Sequence, residues 1–369
     1  MIRGMGRALN FAWKWRGGAT GIREDELEVQ RGDRSVPATL FMPNYTRNPL
    51  PGWVVLHGLT RPGRHHPNLL RFAKALAGSG AAVLIPEIPE WRELQFAPDE
   101  AGATIRATVL HLGDMKGVIP DHVGLMGFSM GVSHVLHSGI DPALSGRLGG
   151  LAGFGGFGDM ERTIRFLFRG EHEWEGTTRE LDPDPYGRWV VVGNYLPELP
   201  GYEAAEDVAD SLLELARAAG DLQVGAWDAR YDSLKEDLLR GVHPSRHDLF
   251  RALAPASGHR PPVEITERLA PLLAQAAHSA SPSAKPTSFL DQITVPVRLI
   301  HGRGDRLIPY TESLRLGEGF PADSNVKVYL TGLFSHSQTE KGGGMGAGEP
   351  GVEEQLNFVR IMADILTLV

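Results

Sequence analysis

Short apolar runs alternating with amphipathic helical stretches constrain this chain more than any other feature. The runs at 53–56, 81–85, 123–126 and 148–152 are four or five residues long and built almost wholly of apolar side chains and glycine. A strand buried on both faces reads this way, whereas a half-exposed strand alternates. Between them, 68–76 places Leu69, Phe72, Ala73 and Leu76 at helical spacing and stops at Gly78 and Gly80. The segments 101–112 and 131–138 also read as helices. Strand and helix in alternation, with short connections, predict an α/β fold: a mostly parallel central sheet with helices on both faces. Ahead of it, 27–29 and 38–42 read as two strands about a Gly32-Asp33 turn.

The alternation stops near Asp159. From there to about residue 277 the pattern is helical and irregular, with Val208, Leu212, Leu215, Ala216 and Ala219 on one face of a helix that Gly220 is expected to close. A Ser- and Pro-bearing stretch, 279–288, reads as a linker. Strand, helix, strand and a long final helix then follow at 297–300, 311–316, 326–330 and 352–368. The expected organisation is an N-terminal segment (1–23), an α/β core (24–158 and 289–369) and an inserted helical cap with its linker (159–288). A length of 369 residues, at about 150 per domain, suggests two or three domains. The interrupted pattern points instead to one body with an insertion.

Composition removes several kinds of chemistry. The chain has no cysteine, which excludes thiolate nucleophiles, Cys-ligated zinc and disulfides. A net charge of −8 without a long basic run argues against nucleic acid as a partner. Residues 1–16 carry Arg3, Arg7, Lys14 and Arg16 around Leu9, Phe11, Trp13 and Trp15. Lys14 interrupts the apolar run that a secretory signal requires, so a cytoplasmic location is expected. The segment reads as a terminal helix packed on the body, or as a basic helix making peripheral contact with a membrane. No stretch approaches the ~20 apolar residues of a transmembrane span.

The chemistry is expected at Gly127-Phe128-Ser129-Met130-Gly131, a G-x-S-x-G pattern between a predicted strand and a predicted helix. A sharp strand-to-helix turn crowds its own backbone, so small residues are needed two before and two after the serine. The hydroxyl is thereby raised above the sheet at a helix N-terminus, where developing negative charge is favoured. A serine also needs a base, and the base an orienting acid. His336 follows the last predicted strand and Asp305 the one before it, so both loops emerge at the edge where Ser129 lies. Asp159 is the alternative acid. The Met130 N–H is the expected first oxyanion donor, and Leu59, in His57-Gly58-Leu59-Thr60, the expected second.

With the elbow, the His-Gly loop and the late Asp and His in that order, the sequence resembles the α/β-hydrolase fold superfamily with an inserted cap. The resemblance covers 24–158 and 294–369. It implies Ser129 as nucleophile, Asp305 as acid, His336 as base, no cofactor and a cap over the site. The loop reads His-Gly-Leu where one esterase branch has His-Gly-Gly-Gly. The expected activity is hydrolysis of a small-molecule carboxylic ester, with an apolar acyl or alcohol part, through an acyl-enzyme. Acyl transfer, amide cleavage and C–C cleavage on the same fold are alternatives, as is a non-catalytic binding protein.

Three other patterns carry less. Gly153-Phe154-Gly155-Gly156-Phe157-Gly158 has the form G-x-G-x-x-G, but no clear helix opens on it, which favours a hinge over a dinucleotide site. Arg61, Arg64, His65 and His66 read as a solvated loop, or as a site for an anionic group or a metal. His243 and His247 have metal-ligand spacing on a helix, but Pro244 breaks that helix, and no metal is expected.

Overall fold

The computed structural model describes residues 2–18, 20–44, 49–333 and 351–369. Helix α1 (Ile2–Gly17) leads into a hairpin of β1 (Ile22–Arg31) and β2 (Arg34–Pro43), paired from Ile22 opposite Pro43 to Arg31 opposite Arg34. The hairpin is longer than the apolar residues alone mark out, because the outer positions of β1 are polar and solvated. Next come β3 (Gly52–Leu56), α2 (Pro67–Gly78), β4 (Ala82–Pro86), the single turn α3 (Pro89–Arg92), α4 (Pro98–Gly113), β5 (Val123–Phe128), α5 (Met130–Ser138) and β6 (Leu148–Phe154).

The inserted segment follows. Helix α6 (Met160–Arg169) is capped at its start by Asp159 and at its end by Gly170, whose φ is +76°. It therefore opens directly behind the Gly-rich 153–158 stretch, where no helix was expected. A two-stranded hairpin, β7 (Glu171–Trp174) and β8 (Thr177–Glu180), precedes α7 (Pro185–Tyr195), α8 (Glu206–Leu222), α9 (Tyr231–Leu239), α10 (His247–Leu253) and α11 (Val263–Ala280). Helix α8 runs past Gly220 to end on Gln223, which is left-handed. Trp189, Leu212, Leu215, Ala216 and Leu269 are fully buried in a core that the segment shares with Leu94, Phe96 and Ile308 of the α/β body. Residues 279–288 hold the end of α11 and two 3₁₀ turns, with a third at Leu290–Gln292, and Ala284, Phe289 and Leu290 are buried.

The chain returns through β9 (Val297–Gly302), α12 (Thr311–Gly319), β10 (Val326–Thr331) and α13 (Val352–Ile365). The central sheet has eight strands in the order β1-β2-β4-β3-β5-β6-β9-β10, and β2 alone runs antiparallel to its neighbours. Alternate residues of each inner strand enter different cores. Val54, Leu56 and Leu84 meet Ile105 and Val109 of α4 and Val135 of α5 on one face. Trp53, Val55, Val83 and Ile85 meet Phe11 of α1, Phe72 of α2 and Met362 of α13 on the other. Both faces are thus covered, as continuous apolar strands require. Ala8 and Phe11 are fully buried, so α1 is packed on the body, while Trp13 points outward. Among the described residues no helix is long and apolar enough to cross a membrane.

Candidate active site

Ser129 stands between the last residue of β5 and the first of α5, with φ 55° and ψ −125°. An L-residue adopts such angles at a cost of about 1–3 kcal/mol and keeps them only where its surroundings impose them. Here they do. The Ser129 N–H donates to Phe154 O of β6 at 2.8 Å, and its carbonyl accepts the Val132 N–H at 3.0 Å. A Cβ on Gly127 would lie 2.6 Å from Gly131 O, and one on Gly131 would lie 3.3 Å from His57 O. The G-x-S-x-G spacing is therefore a steric requirement of this turn. The Ser129 side chain makes no capping bond to α5, which leaves the hydroxyl available above the sheet edge.

The loop after β3 runs alongside. A Cβ on Gly58 would sit 3.4 Å from Ser129 Cβ, so Leu59 follows the residue that abuts the serine, and Met130 follows the serine itself. His57 is buried behind this loop. Its Nδ1 is 2.7 Å from Gly58 O and its Nε2 is 3.1 Å from the Ile88 N. Gly58 O can only accept, so Nδ1 carries the proton in that contact and donates it. Glu87 Oε1 lies 3.3 Å from the same Nε2. Burial raises the Glu87 carboxyl, but His57, Arg92 and Arg64 together hold it below the usual carboxylate range.

Asp305 lies just beyond β9 and is 2% exposed. Its Oδ1 accepts the N–H groups of Leu307 at 2.9 Å and Ile308 at 3.0 Å, and its Oδ2 is 3.3 Å from His301 Nε2. Strand β10 pairs in parallel with β9, with Thr331 opposite Gly302, so the chain beyond β10 leaves from the same edge as the Asp305 loop. His336 lies outside the described residues. Asp159 is occupied in a different way: its carboxylate accepts the Glu161 N–H at 2.8 Å and caps α6.

Several groups here carry no signal in the sequence. Glu312, in the first turn of α12, is buried and accepts from the Gly158 N–H at 3.0 Å, the Asp159 N–H at 3.1 Å and Arg162 Nε at 2.8 Å. Tyr186, on α7, donates its hydroxyl to Leu59 O at 2.9 Å. His134, one turn into α5, is pushed down to about 3 by burial and by His137, so its imidazole is neutral. It lines a small cavity with Phe96, Met130, Met160 and Tyr195. Arg61 and Arg64 are not solvated loop residues. Arg61 pairs with Glu93 and Asp221, each at 3.0 Å, and the buried Arg64 reaches Glu26 at 2.7 Å. His243 Nδ1 accepts from the Ser245 N–H at 3.3 Å, within a 3₁₀ turn at Pro244. Among the described residues no three potential ligating side chains converge on a metal position.

No protein-family model and no curated protein matches this sequence. Solved structures do. A hypothetical protein from Pseudomonas aeruginosa aligns at 12% identity with a TM-score of 0.50, over 96% of this chain and 97% of that one. Est1E from Butyrivibrio proteoclasticus aligns at 12% identity and a TM-score of 0.49, over 93% and 98%. Brefeldin A esterase, described as a bacterial homologue of human hormone sensitive lipase, aligns at 12% and 0.46, over 100% and 82%. The sheet order with its single antiparallel strand, and the strand-serine-helix elbow, define the class: this chain has the α/β-hydrolase fold. At these identities the likeness is one of fold, and the esterase names describe those two proteins.

Proposed function

We propose that this protein is a serine hydrolase that cleaves carboxylic esters through an acyl-enzyme. His336 takes the proton from Ser129 Oγ as the oxygen attacks the ester carbonyl, and Asp305 orients the imidazole and stabilises its charged form. The N–H groups of Leu59 and Met130 receive the developing oxyanion. Collapse of the tetrahedral intermediate expels the alcohol, protonated by His336. Water activated by the same histidine then releases the acid. The inserted segment 159–288 serves as the cap. Met160 and Tyr195 from that segment approach Met130, the residue after the nucleophile, around a small cavity.

The observation that carries this reading is the strained backbone of Ser129, flanked by Gly127, where a Cβ would strike backbone, and by the closely packed Gly131. Strain of this kind, imposed from three sides on a serine whose hydroxyl does not cap the helix, serves the placement of that hydroxyl. The test is Ser129→Ala assayed on p-nitrophenyl esters of rising acyl length. A loss of ~10⁴-fold or more in kcat with an unchanged unfolding curve is expected, and retained turnover would overturn the assignment. Replacing Asp305 and Asp159 separately by Asn distinguishes the two acids, since only the first exchange should abolish activity. The rate should also fall below about pH 6–7 as the base protonates.

A further inference from the structure

We propose that Tyr186 is a positioning residue for this reaction: its hydroxyl fixes the peptide that follows the oxyanion donor and couples that loop, through the first turn of α7, to the loop of the acid. The inference rests on the serine-hydrolase reading above and extends it to a group in the inserted segment.

The donor Leu59 N–H belongs to the Gly58–Leu59 peptide, and the Leu59 carbonyl belongs to the next one. Each peptide is planar, so holding one atom of each plane restricts both torsions of Leu59 between them. The Gly58 oxygen is held by His57 Nδ1 at 2.7 Å. The Leu59 oxygen is held by the Tyr186 hydroxyl at 2.9 Å. A trans peptide points its N–H opposite to its carbonyl, so anchoring Gly58 O aims the Leu59 N–H. Anchoring Leu59 O keeps the following residues from rotating it away. Only the tyrosine can donate in the second contact, because a carbonyl has no proton to give. Burial, and next the charge of Asp184, push the Tyr186 hydroxyl well above its ordinary range, so it keeps that proton throughout the working pH range.

The same turn of α7 also grips the other catalytic loop. The Asp184 N–H donates to Arg306 O at 2.7 Å, one residue beyond Asp305. The Asp184 carboxylate accepts the Tyr186 N–H at 3.0 Å and so starts the helix that presents the hydroxyl. A Cβ on Gly187 would lie 3.1 Å from Leu307 Cδ2, so α7 packs directly on the acid loop. Residues 184–187 thus contact the loops after β3 and after β9, which the sheet itself leaves unconnected.

The test is Tyr186→Phe, which keeps the ring and removes only the hydroxyl. We expect kcat for a p-nitrophenyl ester to fall by about tenfold, less than the loss of a whole donor. KM should stay within about twofold and the unfolding midpoint within a few degrees. Labelling of Ser129 by a fluorophosphonate, read by mass spectrometry, should slow by a similar factor. Inhibition by an aryl trifluoromethyl ketone, whose hemiketal oxygen needs the same donors, should weaken in parallel. Wild-type turnover and labelling that are unchanged in Tyr186→Phe would overturn the positioning role and leave the hydrolase reading intact. So would a variant that loses stability while its folded fraction reacts normally. A wild-type Ser129 that does not label would overturn the hydrolase reading, and this proposal with it.

Discussion

The backbone N–H of Ser129 donates to the carbonyl oxygen of Phe154 across 2.8 Å. Phe154 is the last residue of β6, so the elbow is held laterally by the neighbouring strand as well as by its own turn. This bond and the crowded glycines keep Ser129 at φ 55° without help from its side chain.

The two glycines of the elbow should respond differently to alanine. At Gly127 the new Cβ would meet backbone, Gly131 O at 2.6 Å, which cannot yield without breaking the turn. Gly127→Ala should therefore fail to give folded, active protein. At Gly131 the nearest atom is His57 O at 3.3 Å, which needs a shift of only a few tenths of an ångström. Gly131→Ala should fold, lose about 1–2 kcal/mol in urea unfolding, and lose more activity than stability, because the atom that must move belongs to the proposed oxyanion loop.

Asp184 should make stability depend on pH. Burial pushes its carboxyl up to about 6 from 3.8, and bonds from Tyr186 and Ala226 and the charges of Arg306 and Arg188 offset this only in part. A folded-state value above the unfolded one means stability is fully present below about pH 4 and is lost as pH rises through about 6. The loss is about 3 kcal/mol. Asparagine keeps an oxygen for the Tyr186 N–H and has no charge to bury. Asp184→Asn should be more stable than the parent at pH 8 in urea unfolding, with the difference vanishing near pH 4. Equal curves at pH 8 would refute this.

His134 should act in the opposite direction. Its folded value of about 3 lies below the ordinary 6.5, so the stability it permits is present above pH 6.5 and is lost as pH falls toward 3. The loss amounts to several kcal/mol. His134→Leu should shift acid unfolding, followed by tryptophan fluorescence beside Trp91, to lower pH; an unchanged midpoint would show that the ring finds water before it protonates.

Glu312 should anchor the start of the inserted segment. Its carboxylate is the common acceptor for Gly158, Asp159 and Arg162, and Glu312→Ala would leave two buried N–H groups and a guanidinium without it. A loss of about 3–5 kcal/mol in urea unfolding is expected. A loss below 1 kcal/mol would mean that water replaces the carboxylate.

The inner strands are legible in the sequence because burial on both faces leaves them as unbroken apolar runs, and the elbow because its sterics are local to five residues. The β7–β8 hairpin is not, since Thr177–Glu180 is fully exposed and carries no pattern. The environment of Arg64 is not legible for a related reason: a charged residue in a loop looks solvated until its carboxylate partner, Glu26, distant in sequence, is placed beside it. The contact between Tyr186 and Leu59 spans 127 positions and depends on a single hydroxyl, so nothing in its neighbourhood announces it. The proposed triad reads as an order along the chain, Ser129, Asp305, His336; Ser129 lies at the end of β5 and Asp305 just beyond β9, while His336 lies outside the described residues.

Beneath helix α5, strand β6 and the turn after it present glycine at two positions, 153 and 156. A Cβ on Gly153 would lie 2.5 Å from Val132 Cγ1, and one on Gly156 would lie 2.4 Å from the same atom. Val132 is three residues past Ser129. The depth at which the hydroxyl sits is thus gauged by carbon atoms that are missing from another strand. A saturation scan of this protein would score Gly153 and Gly156 beside Ser129, though neither has a functional group to contribute.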